Sequence, residues 1–484
     1  MQTFPGVYEF GPTRWNRRHV LCAGGLGLLG LSSFDLARLR AATAARETSD
    51  NGPSADNGPS ARPRANSCVF IFLFGGPSHI DLWDMKPGAP SNVRGEFRPV
   101  DTNVPGIQLS EHLPHLARQM DKLCLLRSMH HHDPVHGTAC SQMTTGRPHR
   151  RPGTTDTLAP DDWPSLSALV MRYGAPRGGL PASIVLPWYC MFPSQGMRIA
   201  GQSGGVMGEQ FNAFLVDGDP SQKNFDVPGV RLPEGVTSER LQRRRGLLGA
   251  IGSKGPSLQG PLADLLDGQY RTAFEMIGGK LASGAFDLNA EPAPVRERYG
   301  PHKFAQSLLL ARRLVESGTT LVTVNWDDET KDEKQSPFWD THHDNFSRLK
   351  GHLVPPFDRA FAAFIADLHE RGLLETTLVC VMGEFGRSPR IGRIVQNNMT
   401  AATGRDHWPH AFTVLMAGGG VLGGQVYGTT DAQGAYVKDS GVTPGDLAAT
   451  ILLHLGVDRE AHYHAPLLNE NHPLSIGTPI RDLG

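Results

Sequence analysis

Cys68-Val69-Phe70-Ile71-Phe72-Leu73-Phe74, closed by Gly75-Gly76-Pro77, is the stretch whose reading decides the fold. An uninterrupted apolar run that stops at turn residues predicts a central strand covered on both faces. Downstream, Lys122-Leu123-Cys124-Leu125-Leu126-Arg127, Ser183-Ile184-Val185-Leu186 and Thr320-Leu321-Val322-Thr323-Val324-Asn325 read as further strands. Helices are expected from Ser110 to Ala117, where Ser110 can cap, in a long tract from Ser238 to Leu281, and over His302–Glu316. The C-terminal third repeats the grammar: helix Val354–Arg371 stopped by Gly372, strand Thr377–Met382, strand Ala411–Met416, and helix Thr443–Leu455. Strands alternating with helices predict an α/β fold with three α/β/α layers and a mostly parallel sheet over residues 67–484, with 193–282 as an insertion or cap.

Composition fits that reading. The chain has 484 residues, 39% hydrophobic and 20% charged, which excludes collagen-like, wholly disordered and disulfide-framework classes. Lys and Arg at 47 against Asp and Glu at 48 leave a net charge of -1, so nothing global draws the chain to nucleic acid. The basic run Arg243-Arg244-Arg245 lacks the interleaved aromatics of a nucleic-acid surface.

The first part reads differently. Arg17-Arg18 ahead of the uncharged run Val20–Phe34 and the small residues Ala41 to Ala45 look like a twin-arginine signal peptide over 1–45, implying export to the periplasm or beyond. The uncharged run, roughly 15 residues, is short for a bilayer span of about 20, so no transmembrane anchor is expected after cleavage. Asp50-Asn51-Gly52-Pro53-Ser54-Ala55, repeated at 56–61, falls in an expected flexible linker over 46–66. The six cysteines show no zinc spacing, and Cys68, Cys124 and Cys380 sit in apolar strand-like runs; no essential disulfide is expected.

Five polar clusters sit in the expected loops: Ser78-His79-Ile80-Asp81, the run from His130 to His136, Asp340-Thr341-His342, Glu384 to Arg387, and Arg405-Asp406-His407. Alone, each is what turns and solvated loops ordinarily carry. Their repeated placement beside strands is informative, because open α/β sheets bind ligands outside the carboxyl ends of their strands. Only Asp340-Thr341-His342 outranks the ordinary reading by itself. Imidazoles and carboxylates converging from separate loops are what a metal site needs. The glycine pairs match neither G-x-G-x-x-G nor the P-loop, so nucleotide binding is discounted. Trp326 to Lys334 reads first as a solvated loop, the lesser alternative being that it lines a cleft rim near Asp340.

Phe74-Gly75-Gly76-Pro77-Ser78-His79, Arg94-Gly95-Glu96-Phe97, Trp339-Asp340-Thr341-His342, Met382 to Arg387, and Gly404 to Pro409 resemble the domain-of-unknown-function 1501 family. These are exported proteins related to sulfatases in the alkaline-phosphatase-like superfamily, and the likeness runs along nearly the whole chain. It implies an alkaline-phosphatase-like fold and a metal-dependent hydrolase of a sulfate or phosphate ester. Thr145-Gly146-Arg147 matches a sulfatase element, and counting back puts His136 in the nucleophile slot, but C-x-P-x-R is absent. Gly75-Gly76 replaces the superfamily's paired aspartates, and Glu384-Phe385 its Asp-His pair.

Two readings follow. In the favoured one, His79, Asp81, Asp340, His342, Glu384, Asp406 and His407 hold one or two divalent ions (Zn, Ca or Mg). His136 then attacks, acts as base or ligates, and Arg387, with Arg147 and Ser78, meets a small anionic ester or sulfated glycan. In the alternative, the same groups floor a non-catalytic protein that binds a ligand or partner.

Overall fold

The computed structural model describes residues 64–154, 158–192, 197–230, 232, 235–252, 270, 273–274, 276–277, 284–333, 336–393 and 401–483. The expected signal peptide over 1–45 and nearly all of the linker over 46–66 lie outside them.

Eight strands form one sheet: β1 (Ser67–Phe72), β2 (Leu123–Met129), β3 (Ser183–Leu186), β4 (Phe214–Leu215), β5 (Leu321–Asn325), β6 (Thr377–Met382), β7 (Phe412–Ala417) and β8 (Gln425–Tyr427). Their spatial order is β8-β2-β7-β6-β1-β5-β3-β4. β7 runs antiparallel to β6 and β2, and every other adjacent pair is parallel. β1 therefore lies inside the sheet, with Val69 facing Val379 on one side and Val322 on the other, and all six of its residues are buried.

The helices sort into two groups around this sheet. α1 (His136–Thr145), α2 (Leu166–Tyr173) and α6 (Pro444–His454) make one; α3 (Ala293–Tyr299), α4 (Lys303–Glu316) and α5 (Val354–Glu370) make the other. Phe357, Phe361, Phe364, Ile365 and Leu368 recur at helical spacing and make the buried stripe of α5. α6 starts where Thr443 and Asp446 cap each other's backbone amides. The result is the three-layer, mostly parallel α/β architecture expected from the sequence.

One local expectation changes. Ser110–Ala117 is not a helix: Gln108–Ser110 pairs with Pro99–Asp101, and a 3-10 helix follows only at Leu116–Lys122. Asp358 of α5 supplies the reason, since its carboxylate accepts the amides of His115 and Leu116 at 2.9 and 2.7 Å and caps that later turn. Within 193–282, Phe214–Leu215 joins the main sheet as the edge strand β4 and Ser238–Gly252 is helical, while much of the remainder lies outside the described residues. Cys68, Cys124, Cys140, Cys190 and Cys380 are buried free thiols. Among the described residues no helix is long and apolar enough to cross a membrane.

Candidate metal centre

Strand direction brings the polar clusters to one edge of the sheet. β2, β5 and β6 end there, and antiparallel β7 begins there. Consequently His136 (after β2, opening α1), Asp340 and His342 (after β5), Glu384 and Arg387 (after β6) and His407 (before β7) converge. A short ladder, Gly386–Arg387 against His407–Trp408, fixes the last two segments together.

At the centre, donor atoms of His136, Asp340, His342 and His407 all lie within 4.8 Å of one another. Asp340 is the hub: His342 Nε2 is 3.0 Å and His407 Nε2 3.3 Å from its Oδ1, and His136 Nε2 is 3.1 Å from its Oδ2. His342 Nε2 and His407 Nε2 are 3.0 Å apart. Bonds of about 2.0–2.2 Å to a zinc-like ion place neighbouring donors about 3.0–3.5 Å apart, a range that these spacings match and that ordinary hydrogen-bonded pairs share. The Nδ1 atoms complete the pattern. His407 Nδ1 donates to the Pro134 carbonyl at 2.7 Å, His136 Nδ1 meets Glu384 Oε1 at 2.5 Å, and His342 Nδ1 faces Asp406 Oδ1 at 3.5 Å. Metal-binding histidines are oriented in this way by an oxygen partner on the second nitrogen.

The electrostatics follow from burial. Burial alone would lower the His136 pKa, but Asp340 and Glu384 outweigh it and hold the ring up at about 9. Burial would raise the Asp340 carboxyl, yet His342, Arg387 and His136 carry it well below the ordinary carboxylate range. Burial, and then the charge on His136, push His407 down to about 3.

The glycine pair after β1 has a geometric cause. Gly75 has φ 114° and Gly76 φ 78°, and a Cβ on Gly75 would stand 2.4 Å from the Asp340 amide nitrogen. The bare backbone is used instead: the Gly75 amide donates to both Glu384 oxygens at 3.0 and 3.1 Å. The Gly75 and Gly76 carbonyls accept from Arg387. Arg387 is fully buried, gives Nη1 to the Arg405 carbonyl at 3.2 Å, and grips Asp340 Oδ1 at 2.5 Å. It orients a central carboxylate, and its donors are turned into the protein.

Other expected residues fall elsewhere. Asp406, fully buried, stands behind His342 and caps the His407 amide at 2.8 Å, making it a support for the donors. Glu384 likewise sits behind His136. Asp81 binds Arg405 through two 2.7 Å contacts and accepts from Ser78 at 2.6 Å and Asn345 at 2.9 Å, so both its oxygens and Ser78 are committed to a buried ion pair apart from the four donors. His79 is directed to the Gly434 carbonyl at 2.8 Å and packs under Gly386, and burial lowers its pKa. Arg147 follows the far end of α1, whose ten residues span about 15 Å, and stacks on Trp163 at 5.0 Å. His131, which the sequence does not single out within the His130–His136 run, donates Nε2 to the Glu384 carbonyl at 2.6 Å, and burial pushes its pKa to about 4.

The family profile described as "Protein of unknown function (DUF1501)" matches residues 65–479. The chain belongs to that family. No match was found among curated proteins. Three solved structures similar to this DUF1501 chain illustrate its surroundings. Ps i-CgsB in complex with k-i-k-neocarrahexaose is 12% identical with a TM-score of 0.38, over 81% of this chain and 72% of that one. PsFucS1 sulfatase from Pseudoalteromonas sp. is 13% identical with a TM-score of 0.35, over 86% and 74%. Alkaline phosphatase from the Antarctic bacterium TAB5 is 10% identical with a TM-score of 0.34, over 81% and 99%.

Proposed function

We propose that this protein is an exported, metal-dependent hydrolase of a sulfate or phosphate ester, taking a small anionic ester or a sulfated glycan. One observation carries the reading: three imidazole Nε2 atoms face the Asp340 carboxylate at coordination-edge spacing, each with an oxygen at its Nδ1. Three imidazoles and one carboxylate suit a zinc-like ion better than Ca or Mg, which prefer oxygen ligands throughout. When bound, such an ion polarises an ester oxygen and acidifies water.

The chain's own residues shape what meets that ion. His136 is the most open of the four, with 14% of its side chain exposed, so it faces an arriving substrate. Glu384, fully buried behind its Nδ1, can hold the ring's proton there. Phe74 and Phe385, with ring centroids 5.3 and 5.0 Å from that of His136, wall it and limit water. Arg387 fixes the direction of Asp340.

A second reading, a protein that holds its ion without turnover, is favoured by the same Arg387, whose guanidinium is spent on protein acceptors instead of a substrate anion. Elemental analysis of purified protein, followed by aryl sulfate and aryl phosphate assays, decides. Co-purifying metal with turnover that disappears together in Asp340→Asn supports the hydrolase; stoichiometric metal without esterase activity selects the second reading; a metal-free protein sinks both.

A further inference from the structure

A second group of ligand-type side chains lies outside the centre just described. Asp328, Glu329 and His352 bring donor atoms within 4.8 Å of one another. All three line a cleft of about 750 Å³, which also takes in His302, Lys303 and Arg359. His352 Nε2 is shielded from solvent and makes no hydrogen bond; Asp328 Oδ2 stands 3.6 Å away, and Glu329 Oε1 is 3.4 Å from the other ring nitrogen. The 3.6 Å separation is too long for a hydrogen bond but close to the donor spacing around a shared ion.

Two features of the backbone put these groups together. His352 belongs to a π-helical turn, Leu349–Leu353, ahead of α5, and such single turns are frequent at functional sites. Asp328 is held rigidly as the cap of the 3-10 turn Glu329–Asp332, accepting from the Thr330 amide at 2.7 Å, from its hydroxyl at 2.5 Å, and from Trp326 Nε1 at 2.6 Å. Oδ1 is filled by the two Thr330 bonds, whereas Oδ2, which takes only the Trp326 bond and is the oxygen nearest His352, keeps a lone pair to spare. Glu329, 78% exposed, is free to swing toward the ring.

We propose that Asp328, Glu329 and His352 form a second divalent-cation site, at the cleft, for an ion that accepts mixed oxygen and imidazole donors such as Mn²⁺ or Zn²⁺. Its consequence reaches the centre. Thr330 Oγ1 accepts the Phe338 amide at 2.7 Å, and Phe338 lies two residues before Asp340 with φ 54°. Trp326 packs on Trp339 with ring centroids 5.1 Å apart. An ion tying Asp328 and Glu329 to His352 therefore stiffens, through Thr330 and Trp326, the Phe338-Trp339 stretch that leads into Asp340.

The test is a Mn²⁺ titration of the metal-stripped full chain, counting bound ions by electron paramagnetic resonance. Two ions per chain are expected, one lost in His352→Ala and the other in Asp340→Asn. Exposed Glu329→Gln, chosen because it leaves folding untouched, should weaken the same ion that His352→Ala removes by about tenfold or more. A stoichiometry that His352→Ala and Glu329→Gln both leave unchanged overturns the proposal. Loss of only the Asp340-dependent ion in either variant overturns it too. Because Asp340→Asn is scored separately, failure at the cleft and failure of the hydrolase centre are distinguishable.

Discussion

Gly75→Ala is the sharpest perturbation of the site that changes no donor. Its added Cβ would stand 2.4 Å from the Asp340 nitrogen, 2.6 Å from the Trp339 carbonyl carbon and 2.7 Å from the Trp339 nitrogen. These are backbone atoms, so no side-chain rotation relieves the clash, and only a shift of Trp339-Asp340 can. The φ of 114° adds conformational strain of about 1–3 kcal/mol for a residue with a Cβ. Overpacking in a close-packed interior adds about 1–3 kcal/mol more, giving about 2–6 kcal/mol in all. Gly106→Ala is the control: its φ is 84° but no atom lies within 4 Å of the new Cβ, so it carries the conformational part alone. Urea denaturation should place Gly75→Ala about 1–3 kcal/mol below Gly106→Ala, with reduced metal occupancy in the Gly75 variant only. If the two variants denature together and both retain full metal, the close approach of Gly75 to the Trp339-Asp340 backbone is not what requires this glycine.

Further outcomes follow from single contacts. Asp340→Asn should abolish metal retention and cost about 3–5 kcal/mol, because it removes the charge facing buried Arg387; elemental analysis and denaturation measure the two effects separately. Asp84 loses some anionic preference to burial, but Arg127, Lys86 and Thr430 outweigh this and hold its pKa below the ordinary value. A depressed folded pKa stabilises above the unfolded value near about 4 and loses that contribution as pH falls through the folded one, so the denaturation midpoints of wild type and Asp84→Asn should converge on going from pH 7 toward pH 3. Replacing Arg17 and Arg18 together by Lys should leave the chain in the cytoplasmic fraction; unchanged export on immunoblots of cell fractions removes the twin-arginine assignment.

The strands were legible because a fully buried strand needs an unbroken apolar run, and Val69–Phe74 and Thr377–Met382 each stop at glycine. The meeting of His136, Asp340, His342 and His407 was legible as a class, since clusters at one kind of strand end must share one edge of the sheet. What linear reading could not separate was a donor from its support. Asp81 and Asp406 read as ligands by residue type, but which carboxylate an arginine captures depends on a partner such as Arg405, 324 positions from Asp81. The Ser110 helix failed for a related reason: the decisive cap, Asp358, comes from another element.

The same distinction bears on how the centre is built. With Gly75 and Gly76 at the end of β1, that strand contributes no ligand, and its amide and carbonyls instead hold Glu384 and Arg387. Those two in turn orient His136 and Asp340. The turn after the first strand thus aligns the neighbouring groups, and His136 at the start of α1 joins Asp340, His342 and His407 in the cluster. Glu384 and Arg387, both without exposed side-chain surface, are each met by named acceptors or donors, so neither is left as an unpaired buried charge beneath the imidazoles.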